Sequence, residues 1–423
     1  VIDPKKLDAC VHCGLCLTAC PTFDATGNEL DSPRGRIAIV RGLAEGKVAD
    51  VSVAKDHLDA CVGCRACEPA CPSGVRYGAI LEEGREELDR LVKRSSATRA
   101  ANSFFLRKGL NAPFGTTALM RLLWIARRTG LVALAARRRD RVGVVARIAP
   151  DPRWRPWSAS VSSMLPATSA RRGAVALLPG CVMDHGFGAV HEASMRLLRR
   201  AGFDVHVPRG PLCCGALSAH VGDAAAARET LDRLAKSLAP HPVDAVIVNA
   251  AGCGSHLKEA DWPQARMTFD LLEWLDRRGL AFQPGPVARR FGKADGERLV
   301  VAYQDPCHLR HGQRVVDAPR RLLSSLPDVD LVALDDPDRC CGSAGVFNVA
   351  QPEFADELLA AKVEAVRKAR CDVLATANPG CHLQIASGLR AAGIASRVEH
   401  VATLLAAGAP AAGETVVAER DAH

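Results

Sequence analysis

Hydrophobic spacing divides the chain into stretches with different periods. After Asp31-Ser32-Pro33, the apolar residues Ile37, Val40 and Leu43 recur at helical spacing. This predicts a helix with Ser32 as N-cap, Pro33 in its first turn and Gly46 at its end. A second helix is predicted through Ile80, Leu81, Leu88 and Leu91, and a third, basic one over Ala118 to Arg128. Beyond residue 172 the pattern changes. Short runs at Ala174 to Leu178, Ala245 to Val248, Leu299 to Tyr303 and Val373 to Thr376 alternate with amphipathic helices. Such alternation predicts parallel α/β sheets.

Of the 423 residues 48% are hydrophobic and only 4% aromatic, which suits a globular protein with an Ala, Val and Leu core. No apolar run reaches the roughly 18 residues that would span a bilayer. Val1 to Lys6 lead straight into cysteines, so no secretory signal is expected at this end and a cytoplasmic location is. Seventeen cysteines in a reducing compartment point to metal binding in place of disulfides.

Charge is unevenly spread. Between Arg85 and Arg172 there are 19 Lys and Arg against 5 Asp and Glu, a local balance of +14 within a net +8. One reading is a solvated connector whose apolar stripe packs on a neighbouring domain. The other is a docking surface for an acidic partner or anionic lipid headgroups, a peripheral membrane contact through residues 96–172. No nucleic-acid-binding motif accompanies the basic cluster, and no nucleic acid partner is expected.

The cysteines at the amino-terminal end form two matched runs. Cys10-x2-Cys13-x2-Cys16-x3-Cys20-Pro21 is followed by Cys61-x2-Cys64-x2-Cys67-x3-Cys71-Pro72. A tight turn supplies three thiolates to a four-iron cluster, and the fourth cysteine, before proline, serves the other cluster. Cys10, Cys13, Cys16 and Cys71 are therefore expected to hold one [4Fe–4S] cluster, and Cys61, Cys64, Cys67 and Cys20 the second. Zinc is the alternative for paired CxxC sequences, but the repeated triplet with a fourth cysteine before proline is far more specific to four-iron clusters.

Eight of the remaining cysteines form a second duplication. Cys181 precedes Cys213-Cys214-Gly215 by 32 positions, and Cys253 follows Cys214 by 39. Cys307 precedes Cys340-Cys341-Gly342 by 33, and Cys381 follows Cys341 by 40. Two blocks with the same order within one residue per interval indicate a duplicated domain. Each cysteine site follows a predicted strand or turn, where ligands of open α/β sheets gather. These eight are candidate metal residues for additional clusters, with Gly252 and Gly380 allowing close backbone approach. Cys371 is expected in the core, and His308, His311 and His382 as hydrogen-bond partners near the second block.

Ala9-Cys10-Val11-His12-Cys13-Gly14, the Asp31 to Arg36 stretch, Cys71-Pro72-Ser73-Gly74-Val75-Arg76-Tyr77 and Cys340-Cys341-Gly342-Ser343-Ala344-Gly345 resemble the iron–sulfur subunits of bacterial glycolate oxidase. The resemblance implies a multidomain chain: an all-α, helical two-cluster ferredoxin domain followed by a duplicated α/β cysteine-rich (CCG) pair. Expected boundaries are 1–95, a basic helical connector at 96–172, repeats at 173–290 and 291–410, and a flexible tail at 411–423. It further implies FAD on separate oxidase subunits that convert glycolate to glyoxylate, with this chain passing electrons to a quinone or cytochrome acceptor. No GxGxxG fingerprint follows a strand, in keeping with a flavin held elsewhere. A related architecture occurs in lactate-utilisation and glycerol-3-phosphate dehydrogenase subunits, and in heterodisulfide reductases, where each block typically ends in CxxC. Here they end in Cys253-Gly-Ser-His256 and Cys381-His-Leu-Gln384, so a cluster in either block would be labile or recruit a ligand such as His256 or His308. The alternative function is a disulfide or quinone reductase with its own active site in the repeats.

Overall fold

A computed structural model of the chain describes residues 2–92, 107, 109–210, 212–279 and 285–408. The expected tail at 411–423 lies outside the described residues, as does the start of the connector at 96–106.

Near the amino terminus the chain runs through α1 (Pro4–Asp8), α2 (Pro21–Thr26), α3 (Pro33–Ala44), α4 (Val51–Asp59) and α5 (Tyr77–Leu91). Ser32 caps α3, its Oγ accepting from the Gly35 N–H at 3.0 Å, and Ile37, Val40 and Leu43 are buried. On α5, Ile80, Leu81 and Leu88 are buried but Leu91 is exposed. Three helices follow: α6 (Pro113–Arg128), α7 (Leu131–Ala136) and α8 (Arg141–Ile148).

The first repeat holds β1 (Met164–Leu165), β2 (Gly173–Leu177), β3 (Phe203–His206), β4 (Ala245–Val248) and β5 (Thr268–Asp270) in the order β1-β3-β2-β4-β5. Its helices are α9 (Val182–Gly186), α10 (Gly188–Arg200), α11 (Ala216–His220), α12 (Ala224–Leu238), α13 (Ala251–Glu259) and α14 (Leu271–Arg278). The second repeat holds β6 (Leu299–Tyr303), β7 (Val329–Val332), β8 (Val373–Thr376) and β9 (Arg397–His400) in the order β7-β6-β8-β9. Its helices are α15 (Ala318–Ser324), α16 (Phe347–Ala350), α17 (Pro352–Ala369), α18 (Pro379–Ala391) and α19 (Val401–Ala407). Leaving β1 aside, both sheets run second-first-third-fourth, and all of these pairs are parallel.

The repeats pack reciprocally. The helix after the first strand of one repeat lies on the helix after the fourth strand of the other: α10 on α19, and α15 on α14. A single apolar core runs through both, including Val175, Ile247, Val301, Val373 and Leu404. The carboxyl ends of β4 and β8 meet, with the Ala251 N–H donating to Ala377 O at 3.2 Å.

The fold class expected from the sequence is corrected here. The molecule is a helix-rich α/β protein with two parallel-rich sheets, and it does not divide into an all-α unit followed by two equal α/β units. β1, from the stretch read as connector, pairs antiparallel with β3 and makes the first sheet five-stranded against four in the second. The second amino-terminal cysteine loop also shares a core with the second repeat, where Val62 packs with Cys340, Phe347, Ala355 and Leu358. The physical reason is size: a short segment whose loops are built around cysteines buries too little apolar surface to stand apart.

Candidate iron–sulfur centre

The two amino-terminal cysteine loops share one backbone design. In the first, His12 (φ 54°) and Gly14 (φ 85°) are left-handed; in the second, the matching positions Gly63 (φ 67°) and Arg65 (φ 62°) are. Left-handed residues at alternate positions curl each loop so that its three cysteines face a common space.

The cysteines fall into two groups. Cys10, Cys13, Cys16 and Cys71 line a cavity of about 420 Å³, together with Cys67, Pro72 and Tyr77. Cys20, Cys61, Cys64 and Cys67 line a neighbouring one of about 280 Å³. Cys71 thus lies beside the first loop and Cys20 beside the second, while Cys67 lines both cavities. Cys13 is exposed, with exposed Val11 and Leu15 beside it, whereas Cys20, Cys61 and Cys67 are buried. Among the described residues, no three His, Cys, Asp or Glu side chains are grouped to hold a single metal ion.

The second group is set among cations and hydrogen-bond donors. Burial alone would push the Cys61 thiol up, but the Arg36 and Arg85 guanidiniums, with hydrogen bonds from Tyr77 and Gly63, together hold Cys61 below its ordinary value. The Tyr77 hydroxyl and the Gly63 N–H each donate to Cys61 Sγ at 3.4 Å. Arg36 is buried on α3 and donates to His57 O at 2.7 Å and Thr22 Oγ1 at 2.8 Å. Arg85 donates to the carbonyls of Leu58 and Cys61, both at 2.8 Å, and to His220 O at 2.9 Å.

In each repeat the four cysteines form a chain of neighbours. Cys181 neighbours Cys213, and Cys214 neighbours Cys253; Cys307 likewise neighbours Cys340, and Cys341 neighbours Cys381. The Gly215 N–H donates to Cys213 Sγ at 3.3 Å, and the Gly342 N–H to Cys340 Sγ at 3.4 Å. Hydrogen bonding to the neighbouring thiol and burial hold Cys181 and Cys307 well above the ordinary thiol value. Such thiols stay protonated unless a metal replaces their protons. The donor sets and the two cavities therefore fit iron–sulfur clusters at the amino-terminal sites, and the thiol chains suit metal in the repeats.

The second loop and the second repeat adjoin. Burial and the nearness of Cys307 push the Cys64 thiol well up. His308 Nε2 donates to Gly63 O at 3.0 Å, and burial lowers its pKa to about 4, so it serves as a neutral donor. His382 Nδ1 is buried without a hydrogen-bond partner among the described residues, and its ring meets Phe187 edge-on at 5.3 Å; His311 Nε2 lies 3.8 Å from Asp338 Oδ2. His256 Nε2 is likewise unpaired. Cys371 is buried in the second repeat's core. A Cβ at Gly380 would lie 2.7 Å from Ser343 Oγ, so close approach requires glycine there, whereas at Gly252 the nearest atom would be an ordinary 3.5 Å away.

Comparison with known proteins agrees with this geometry. The family model of the 4Fe-4S dicluster domain matches residues 6–75, and that of the cysteine-rich domain matches twice, at 175–258 and 301–386. The chain is 33% identical over 426 residues to the probable glycolate oxidase iron-sulfur subunit of Bacillus subtilis (strain 168), covering 96% of this chain and 94% of the relative. It is 30% identical over 411 residues to the glycolate oxidase iron-sulfur subunit of Escherichia coli (strain K12), covering 91% of each. The chain belongs to the family of glycolate oxidase iron–sulfur subunits. It is thus an iron–sulfur electron-transfer subunit of an oxidoreductase. A more distant likeness, 24% over 419 residues and 92% of this chain against 90% of the relative, is to a subunit of the dihydromethanophenazine:CoB–CoM heterodisulfide reductase of Methanosarcina barkeri (strain Fusaro / DSM 804).

Within this family member, sequence reasoning missed the side chains that support the second loop: Arg36, Arg65, Tyr77 and Arg85. Arg36 carried a readable signal, because it lies four and seven residues before Val40 and Leu43, on the buried stripe of α3. Arg65 carried none, since its partner Glu259 is 194 positions away.

Proposed function

We propose that this chain carries electrons from an FAD-binding partner that oxidises glycolate to glyoxylate on to a quinone or cytochrome acceptor, working in the cytoplasm. Glycolate gives up two electrons and two protons as it becomes glyoxylate. A four-iron cluster accepts one electron at a time, which suits a flavin that splits the pair. Cys10, Cys13, Cys16 and Cys71 would hold one cluster, and Cys20, Cys61, Cys64 and Cys67 the other. The segments 1–95, 173–290 and 291–410 would be the working units, and the eight repeat cysteines would hold further cluster sites.

The observation that carries this reading is the unequal exposure of the two cysteine groups. The first lies at the surface beside Val11 and Leu15, where a partner can come close. The second is buried against Cys307 and Cys340 of the second repeat. Arg36, Arg85 and Tyr77 offset negative charge on the buried thiolates, which favours taking up an electron there.

The test is anaerobic co-expression with an FAD-binding oxidase subunit. Glycolate-dependent reduction of a dye should need both chains, and this chain alone, given a chemical reductant and a disulfide, should show no turnover. Disulfide turnover by the chain alone would favour the reductase reading suggested by the heterodisulfide reductase relative.

A further inference from the structure

Helices α6, α7 and α8 pack on one another, and α8 rests on α16 and α18 of the second repeat. Their inner side is well fastened. Met120 is buried, Arg127 Nε donates to Pro150 O at 2.8 Å, and Arg390 Nη2 donates to Arg147 O at 3.3 Å. Their outer side is different. On α6, Phe114, Arg121, Ile125 and Arg128 are exposed at spacings of seven, four and three, which is one stripe of a helix. Leu122 lies beside that stripe, and Leu131, Leu134 and Val142 continue the apolar surface on α7 and α8. Phe114 is 86% exposed and Leu122 64%, and such a cluster of large exposed apolar side chains on neighbouring helices marks an interaction surface.

The charges on this surface are mostly positive. Arg137, Arg139 and Arg141 are exposed with Arg121 and Arg128, while the acids of the stretch, Asp140 and Asp151, lie beside arginines. Trp124 and Trp154 meet edge-on at 5.2 Å, with the Arg128 guanidinium over the first ring and Arg121 over the second. Aromatic rings beside cations, next to protruding aliphatic side chains, match the graded polarity of a lipid headgroup boundary. An acidic protein would answer the arginines but not the row of protruding aliphatics.

The geometry points to an interfacial membrane site: α6, α7 and α8 lie in the plane of an anionic lipid surface, apolar side chains inserted and arginines on the headgroups. This goes beyond the electron-transfer role and does not depend on which hydroxy acid is oxidised. It would set the chain beside an acceptor dissolved in the membrane.

Sedimentation with vesicles tests it, using the cluster-loaded full chain and phosphatidylcholine vesicles with or without phosphatidylglycerol. Binding is expected to the anionic vesicles, weaker at high salt and weak on phosphatidylcholine alone. Arg137→Gln with Arg139→Gln should lower vesicle affinity about 20- to 30-fold, the sum of two headgroup contacts. Ile125→Glu with Leu134→Glu should lower it at least about tenfold. Unchanged cluster spectra and circular dichroism would show that both variants fold; should the glutamate pair unfold, the arginine pair decides alone. No binding to anionic vesicles, or equal binding by the folded variants, overturns the proposal. Loss of assembly with the flavoprotein without vesicle binding also overturns it and assigns the face to a protein partner.

Discussion

Replacing Arg65 with glycine probes the joint between the second cysteine loop and the first repeat. Arg65 sits between Cys64 and Cys67 and is buried. Its guanidinium forks to Glu68 at 2.8 and 2.9 Å and to Glu259 at 2.6 and 2.7 Å, and reaches Ser255 Oγ at 3.2 Å. Without it, the buried Glu68 carboxylate would keep the Gly78 N–H, at 2.8 Å, as its remaining donor within the chain. Breaking a buried pair in this way costs about 3–5 kcal/mol. Against that, Arg65 is held at φ 62°, and glycine would recover about 1 kcal/mol of backbone strain. The expected net loss is about 2–4 kcal/mol. Glu259→Gln should cost less, about 1 kcal/mol, because Glu259 is one-third exposed and Arg65 keeps Glu68. Urea unfolding of the cluster-loaded chain, followed by circular dichroism, measures both. A glycine variant as stable as the parent would refute this account of the joint.

Gly342→Ala should destabilise the second repeat by more than about 2 kcal/mol, since φ is 81° and the new Cβ would meet Ala355 O at 2.6 Å; thermal unfolding reads the loss. Burial lowers the His400 pKa to about 3, whereas the unfolded residue titrates near 6.5. Its contribution is thus complete above pH 6.5 and lost as pH falls from there toward 3, so the urea midpoint should drop between pH 7 and 4.5. His400→Asn should flatten that slope, and an unchanged slope would remove His400 as the cause. Cys10→Ser should lower bound iron and the helix content of the amino-terminal segment, because ligation supplies much of its folding free energy; full iron content with unchanged circular dichroism would count against the ligand set.

Much of this was legible in the sequence where local chemistry decided the outcome. The Ser32 cap and the apolar stripe of α3 are local, and three of the four predicted strands, those at 245–248, 299–303 and 373–376, are short runs buried on both faces. Four of the other strands were hidden for the opposite reason. β7 and β9 lie at sheet edges, where polar residues such as Asp330 and Glu399 interrupt the apolar run, and β1 and β5 are only two and three residues long. The spacing of each cysteine run is local and was directly readable. The packing of Val62 on Phe347 was not, since it joins segments whose sequences carry no mark of each other.

The most direct test of the electron-transfer account is reduced-state electron paramagnetic resonance of the complex after anaerobic addition of glycolate, in the parent and in Cys64→Ser. The account predicts a coupled two-cluster spectrum in the parent. In the variant it predicts an isolated signal from the Cys10, Cys13, Cys16 and Cys71 site, with electron delivery to the acceptor abolished. A Cys64→Ser complex that keeps the coupled spectrum and reduces its acceptor at the parental rate would contradict it.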